Sequence, residues 1–488
     1  MNIICVYSLS TFSLKKELYS PADIPFGLSF IATVLKQAGH NVKLVVITPR
    51  TPLREKFTAL IDEFKPELFC LTAVSSQIPI IKQVGTVIKK IDPAAYIVLG
   101  GAHPTLNPEE VIRYPFANAV CVGEGEKAVV ELARQLGTGR DPGGISNLWI
   151  KNPYSGHIEK NIVRPFREDL DHLPFIDRDM WEPFISNRKG KMYTILAGRG
   201  CPNRCTYCSN HALRQVATGR YVRFRSPENI IEEIKQLIAW DEQVETVFLE
   251  TETLGANLKY TYTLLEKLAA FNRTLKKPLK YGTNLALTTQ IQENRKLLLA
   301  FKEANLDFFR IGLESGSEKI RKEVLRRPKY YNKDLIEFCA LCREYDIKYT
   351  VNLLIGLPGE SVADFQETVD ITRQCRPTFG VSVNIFFPYP GTRLFSVCKK
   401  QNLLSAEART TLFERTGTVL NLPRFSPWEI KKEFILFYYK VYRGYKPWPD
   451  IAWKTLRYTA DAFPAAKRCI SEIVHTIGSL FVQERKVS

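Results

Sequence analysis

The 488-residue sequence predicts an α/β protein in three parts: an open parallel sheet, a partial (β/α)6 barrel and a helical C-terminal region. Three observations carry this. Over residues 1–136 short apolar runs alternate with amphipathic helical stretches, the pattern of a parallel sheet covered on both faces. From Met192 the β-then-α alternation starts again and repeats six times, short of a full eight-fold barrel. Beyond residue 396 the chain turns helical and aromatic.

In the first domain (1–136), strands are expected at Ile3–Tyr7, Val42–Ile47, Leu68–Ala73, Tyr96–Leu99 and Ala119–Val122. Helices are expected near Phe26–Ala38, Leu53–Phe64, Ile80–Lys90 and Lys127–Leu136, with Gly39 at the C-terminal position that favours glycine. Sheets of this kind bind ligands at the carboxyl ends of their strands. Three loops there are rich in small residues: Thr72-Ala73-Val74-Ser75-Ser76, Gly100-Gly101-Ala102-His103-Pro104-Thr105 and Gly123-Glu124-Gly125-Glu126.

Residues 137–190 read as a linker, opening on the turn-rich Gly137–Gly144 and continuing in short strands and Pro-containing loops. The barrel follows over 191–395, with strands at Met192–Ala197, Thr246–Glu250, Lys280–Leu285, Phe308–Gly312, Tyr349–Ile355 and Val381–Phe386. A barrel carries its active-site groups after its strands. There the chain places Glu250-Thr251-Glu252, Asn284, Gly312-Leu313-Glu314-Ser315-Gly316-Ser317, Gly356-Leu357-Pro358-Gly359-Glu360 and Phe387–Thr392. In the last region (396–488), the apolar run Phe434–Tyr442 either packs on the barrel or offers a greasy surface to a lipid-like or polycyclic substrate, beside a basic ending.

Directly after the first barrel strand, Gly198-Arg199-Gly200-Cys201-Pro202-Asn203-Arg204-Cys205-Thr206-Tyr207-Cys208 sets three thiols at C-x-x-x-C-x-x-C spacing. Zinc usually wants four protein ligands, and His211, three residues on, is the candidate fourth. Three thiolates on a short loop suit a four-iron cluster that keeps one iron open to a substrate or cofactor. A second C-x-x-C, Cys339 and Cys342, lies in a helical stretch with its apolar face inward and reads as buried core.

On these residues the barrel resembles the radical S-adenosylmethionine (SAM) enzymes, with Tyr207 as the aromatic before the third cysteine. The resemblance implies that Cys201, Cys205 and Cys208 bind a 4Fe-4S cluster whose open iron holds SAM. It implies reductive cleavage of SAM to a deoxyadenosyl radical. It also implies that Glu250 or Thr251 receives the SAM amino group, that Glu314 and Ser315 lie near its ribose or methionyl end, and that Asn284 and the Gly356-Leu357 turn complete the site. Pro25-Phe26-Gly27-Leu28 and the two glycine-rich turns make the first domain resemble the Rossmann-like cobalamin-binding domain of many such enzymes. Thr72, Ser75, Gly100, Gly101, His103, Gly123 and Glu124 would then line the cobalamin groove. The Asp-x-His-x-x-G motif that supplies an axial histidine elsewhere is missing, since the first loop reads Ser8-Leu9-Ser10-Thr11-Phe12-Ser13-Leu14. Either the cobalt is left without a histidine on its lower face, the favoured expectation, or the domain has lost cobalamin altogether; His103 is expected to be a hydrogen-bonded turn residue.

The activity the resemblance implies is methylation of an unactivated carbon. Its alternatives are a cyclisation or rearrangement with the same cofactors, and RNA methylthiolation. The methylthiotransferases carry three further cluster cysteines in their N-terminal domain, whereas Cys5, Cys70 and Cys121 here fall in or beside expected strands. The implied partners are a small-molecule substrate, lipid-like or anionic, and an electron donor such as flavodoxin or ferredoxin.

The net charge of +17 is dispersed, and its densest run, Arg321–Lys329, is broken by Glu and apolar residues, which argues against a dedicated nucleic-acid surface. Eleven cysteines in this length make no dense disulfide framework and suit a reducing compartment. The N-terminus reads as a strand and not a signal peptide, and no stretch approaches the ~20 apolar residues of a membrane span, so a cytoplasmic location is expected.

Overall fold

The computed structural model describes residues 1–9, 18, 20–185, 191–287, 295–327, 330–405 and 414–463. The chain forms two compact units. The first comprises residues 1–284, 303–305 and 389–395, and the second the remainder. The Ser10–Leu14 stretch of the first loop and the basic ending beyond Phe463 lie outside the described residues.

The first unit opens with strands β1 (Asn2–Ser8), β2 (Asn41–Ile47), β3 (Leu68–Thr72), β4 (Tyr96–Gly100), β5 (Ala119–Cys121), β6 (Leu148–Lys151) and β7 (Ile158–Lys160). They form one sheet in the order β2-β1-β3-β4-β5-β6-β7. β1 to β5 pair in parallel, as the apolar runs predict. β6 and β7 are antiparallel additions at one edge, drawn from the segment expected to be a linker. Leu148 and Ile150 bury alternate positions there, a signal only four residues long.

Successive side chains on a strand point to opposite faces, and both faces of this sheet are dry. Ile3, Cys5, Leu68, Cys70 and Val98 join one core, beneath the Phe26–Gln37 and Glu126–Gly137 helices. Ile4, Val6, Phe69, Leu71, Ile97 and Leu99 join the other, beneath Leu53–Phe64 and Ile78–Ile91. Cys5, Cys70 and Cys121 are therefore buried thiols of the first core, not an exposed ligand set.

The same unit continues with β8 (Met192–Leu196), a two-stranded ribbon of β9 (Gly198–Arg199) and β10 (Arg223–Phe224), then β11 (Thr246–Glu250) and β12 (Lys280–Leu285). β11 pairs in parallel with β8 on one side and β12 on the other. Ser226 accepts a hydrogen bond from the Asn229 N–H at 3.1 Å and, with Pro227 behind it, starts the helix between β8 and β11.

In the second unit β13 (Leu306–Glu314), β14 (Lys348–Ile355) and β15 (Gly380–Ile385) run parallel, with helices Asn332–Glu344 and Val362–Cys375 between them. Cys339 and Cys342 are fully buried on the first of these helices, as expected of core thiols. The Phe434–Tyr442 run lies in a helix spanning Pro427–Tyr442 and packs inward. Phe437 meets Phe365 at 5.7 Å between ring centroids, and Phe434 meets Tyr458 edge-on at 5.1 Å. Of the two readings of that run, packing is the observed one. Arg321 and Arg327 of the basic run are also buried, bonded to Ser315 O and Gly312 O. Pro328 and Lys329 of that run lie outside the described residues.

Candidate active site

β8 delivers the chain into the cysteine loop, and buried charges hold that strand. Glu233 bridges Arg178 at 3.1 Å and also pairs with Arg225. The two guanidiniums donate onward to the β8 carbonyls of Thr194 and Leu196, each at 3.0 Å. Arg178 comes from the expected linker, which thus contributes to the site's frame. Gly200 follows with φ +88°, and a Cβ there would stand 2.1 Å from Tyr221 O, so only glycine fits.

Within the loop Cys205 is buried, and Cys201, Tyr207 and Cys208 are half-buried. Burial pushes the Cys201 thiol up to about 12, with Glu252, Cys205 and Cys208 adding to the rise. Burial raises Cys208 too, against the N–H of Asn210, which points at its sulfur from 3.5 Å. Thiols kept protonated chiefly by burial ionise only beside a cation, the role that iron would fill here.

His211 does not complete a zinc set. Its Nδ1 lies 2.5 Å from Cys208 O and its Nε2 accepts the Arg393 N–H at 3.1 Å, so both ring nitrogens are engaged. Among the described residues no three His, Cys, Asp or Glu side chains converge on one ion. The donor set suits a cluster, in which each thiolate meets a different iron.

Beside this loop the first unit encloses a cavity. Thr72, Gly100, Gly101, Gly123 and Glu124, expected together, do line it, as do Gly198, Arg199, Gly200, Glu250, Thr251 and Glu252. Much of the remaining wall is apolar, including Phe26, Leu28, Ile31, Val98 and Leu196. Gly101 (φ +101°) is required by its turn, because a Cβ would meet Ala73 O at 2.7 Å. At Gly100 the nearest obstacle to a Cβ is the Cys121 Cβ at 3.7 Å, so the cavity there is bounded by bare backbone. This is a cradle that side chains would fill, and it fits a large cofactor.

Ser75 and His103, named for the groove, do not line the cavity. His103 is 5% exposed, its Nδ1 lies 3.0 Å from Ser75 Oγ and its Nε2 is enclosed without a partner. Both residues serve the turn, where the His103 N–H donates to Ala73 O at 3.2 Å. Asn284 is also off the wall, because its Nδ2 is spent on Glu250 Oε1 at 3.1 Å and Thr251 O at 2.9 Å.

Thr251 keeps a buried hydroxyl without a hydrogen-bond partner at the cavity wall. Glu252 is exposed at that wall, and its charge acts on Cys201 and Cys208. The sequence reading set Glu252 aside in favour of its two neighbours. It also missed Arg199, Arg223 and Glu126. Arg199 bridges Glu124 at 3.1 Å and Glu126 at 2.6 Å, and Arg223 bridges Glu124 at 3.0 Å. Burial opposes the Glu126 charge, but the Arg199 guanidinium more than offsets it and holds that carboxyl below its ordinary range. The available signal was two arginines flanking the loop and two glutamates in one turn.

In the second unit Glu314 ends β13 and Ser315 follows it, while Gly356 and Leu357 follow β14, its parallel neighbour. Glu314 sits at φ +66°, with its carboxylate 3.5 Å from Arg327. Ser315 is fully buried. The Gly356 and Leu357 N–H groups are not open donors, for both point at Glu360 Oε2, from 2.7 and 3.0 Å. Any backbone contact that Gly356 and Leu357 offer a ligand is therefore through their carbonyls.

Burial pushes Glu360 from 4.5 up to about 8, only partly opposed by those two amides. The folded state thus keeps a proton that the unfolded chain releases. The sign follows: this group's contribution to stability is greatest below about pH 4.5 and falls as pH rises toward 8, by at most about 1.4 kcal/mol per pH unit. Thermal melts of the metal-free chain between those limits should show this slope, and Glu360→Gln, which keeps the acceptor oxygen, should flatten it. An unchanged slope in the variant would reject the assignment.

Comparison with known proteins agrees with this geometry. The Radical SAM superfamily matches residues 195–371 and the B12 binding domain matches residues 23–133. The chain is a radical SAM enzyme with a B12-binding domain. A radical SAM domain takes a 4Fe-4S cluster and SAM, and a B12-binding domain takes cobalamin. An uncharacterized methyltransferase of Pyrococcus horikoshii is 25% identical over 437 residues, 88% of this chain and 90% of that one. The anaerobic magnesium-protoporphyrin IX monomethyl ester cyclase of Cereibacter sphaeroides is 25% identical over 392 residues, 77% of this chain and 60% of the cyclase. tRNA methylthiotransferases also match, over shorter spans. Among solved structures, the radical SAM methyltransferase TsrM from Kitasatospora setae shares the fold. Its TM-score is 0.64 at 17% identity, over 89% of this chain and 85% of TsrM. Among the described residues no helix is long and apolar enough to cross a membrane.

Proposed function

We propose that this radical SAM enzyme methylates an unactivated carbon of a small, largely apolar substrate. The observation that carries the reading is the single cavity bounded both by the glycine turns of the B12-binding domain and by the strand ends beside the cysteine loop. When bound, the cofactors supply a methyl carrier and a hydrogen-abstracting radical, and the chain's part is to orient them and keep water out. Gly100, Gly101, Gly123 and Thr72 bring bare backbone and one hydroxyl to the cobalamin side. Cys201, Cys205 and Cys208 hold the cluster.

Glu252 replaces Glu250 as the acceptor of the SAM amino group, because both stand at the cavity wall but Glu250 already accepts from Asn284 while Glu252 is exposed there. The Thr251 hydroxyl, buried without a partner, turns to the same ligand. The reductant is a small electron carrier such as flavodoxin or ferredoxin. The methylthiotransferase reading is disfavoured by Cys5, Cys70 and Cys121, which the first core occupies.

The test is a product count with SAM labelled in its methyl group and a candidate substrate. Methylation gives S-adenosylhomocysteine and deoxyadenosine in comparable amounts, with label on a substrate carbon. Deoxyadenosine with no S-adenosylhomocysteine and no label in product refutes methylation, and favours a cyclisation or rearrangement.

A further inference from the structure

Arg199 and Arg223 face each other across the β9–β10 ribbon, the stem of the loop that carries Cys201 two residues on. Two guanidiniums so placed repel one another unless carboxylates intervene. The carboxylates come from Glu124 and Glu126, 75 and 73 residues away from Arg199 in sequence. Arg199 takes one oxygen of each, at 3.1 and 2.6 Å, and Arg223 holds Glu124 while donating to Arg167 O at 2.7 Å. The box of two cations and two anions is charge-balanced, and all four side chains are at least three-quarters buried.

The turn that supplies the carboxylates, Gly123 to Glu126, is itself part of the cavity wall, as are both arginines. Its backbone has little room to retreat. Gly123 is at φ +87°, and a Cβ there would stand 3.2 Å from both Asn147 and Val163. A ligand seated against this turn therefore meets the segment that carries Glu124 and Glu126 and, through their ion pairs, the stem of the cysteine loop. On the other side, Gly200 lies so close to the Tyr221 carbonyl that a Cβ would stand 2.1 Å from it, which ties the base of the cysteine loop to the strand that carries Arg223.

We infer that Glu124 and Glu126 are positioning residues that couple cobalamin binding in the cavity to cluster binding on the cysteine loop, through Arg199 and Arg223. The inference rests on the cofactor assignment of the proposed function. Coupling of this kind is reciprocal, so each cofactor tightens the other by the same factor. A merely structural ion box behaves differently: weakening it lowers cobalamin affinity alike with and without the cluster, and leaves their ratio unchanged.

The experiment measures cobalamin affinity of the full chain by absorption titration, before and after anaerobic cluster reconstitution. Wild type is expected to bind cobalamin about 5-fold or more tightly with the cluster present. Glu124→Gln should bring that ratio close to one, and so should Glu126→Asp and Arg199→Lys, which keep their charge but lose the reach. The two conservative variants decide the matter if Glu124→Gln does not fold. A wild-type ratio near one overturns the inference and leaves the proposed function standing, as does a wild-type ratio preserved in the conservative variants. Wild type that takes up no cobalamin in either state overturns the cofactor assignment, and the inference with it.

Discussion

Replacing Cys201, Cys205 and Cys208 together by alanine is expected to abolish the brown iron–sulfur absorbance of the reconstituted protein and to reduce SAM cleavage to background. The three sulfurs lie within one another's electrostatic field, on a loop fixed at Gly200 by a contact that only glycine allows. The neighbouring His211 cannot substitute for them, since both its ring nitrogens are bonded. The control is the double variant Cys339→Ala with Cys342→Ala. These thiols are fully buried in the second unit's core, so that protein should keep its cluster even if it loses stability. Iron and sulfide retained by the triple variant would place the cluster elsewhere and dismantle the site.

A comparably large effect is expected from Gly100→Leu on cobalamin uptake. Gly101 is the more conspicuous glycine, but any side chain there strains a positive φ and collides with Ala73 O, so loss of binding would be confounded with loss of the turn. Gly100 carries no such strain. It ends β4 in register with Thr72, and a Cβ meets only the Cys121 Cβ at an ordinary contact distance. A leucine there projects into the cavity and takes the volume the cofactor needs. The variant should keep the iron and sulfide content of wild type, with cobalamin uptake falling by more than an order of magnitude. Normal uptake would mean that cobalamin does not bind against β4.

The central strands of the first sheet were legible because β1, β3 and β4 are near-continuous apolar runs that bury both faces, and such runs need no partner to be recognised. The six barrel strands expected from the sequence all occur, and the expected Phe308–Gly312 extends to Leu306–Glu314. The cysteine loop and the glycine turns were legible because their chemistry is local. Residues joined only by the fold were not. Arg178 finds Glu233 from 55 residues away, and Arg199 finds Glu126 from 73, distances over which no periodicity speaks. β6 and β7, four and three residues long, are too short to show an alternation, so their segment read as a linker. Glu250 and Glu252 are chemically alike, and only the hydrogen bond from Asn284 tells which one is already engaged.

The central claim is that one cavity in the first unit serves two cofactors held by one chain. The most direct test is a count of iron, acid-labile sulfide and cobalamin in the wild-type protein after anaerobic reconstitution with all three. The account predicts about four irons, four sulfides and one cobalamin per chain, all in the same monodisperse species. A protein that fills with iron and sulfide yet takes up no cobalamin under any reconstitution condition would contradict it, and would leave the seven-stranded sheet as a scaffold alone.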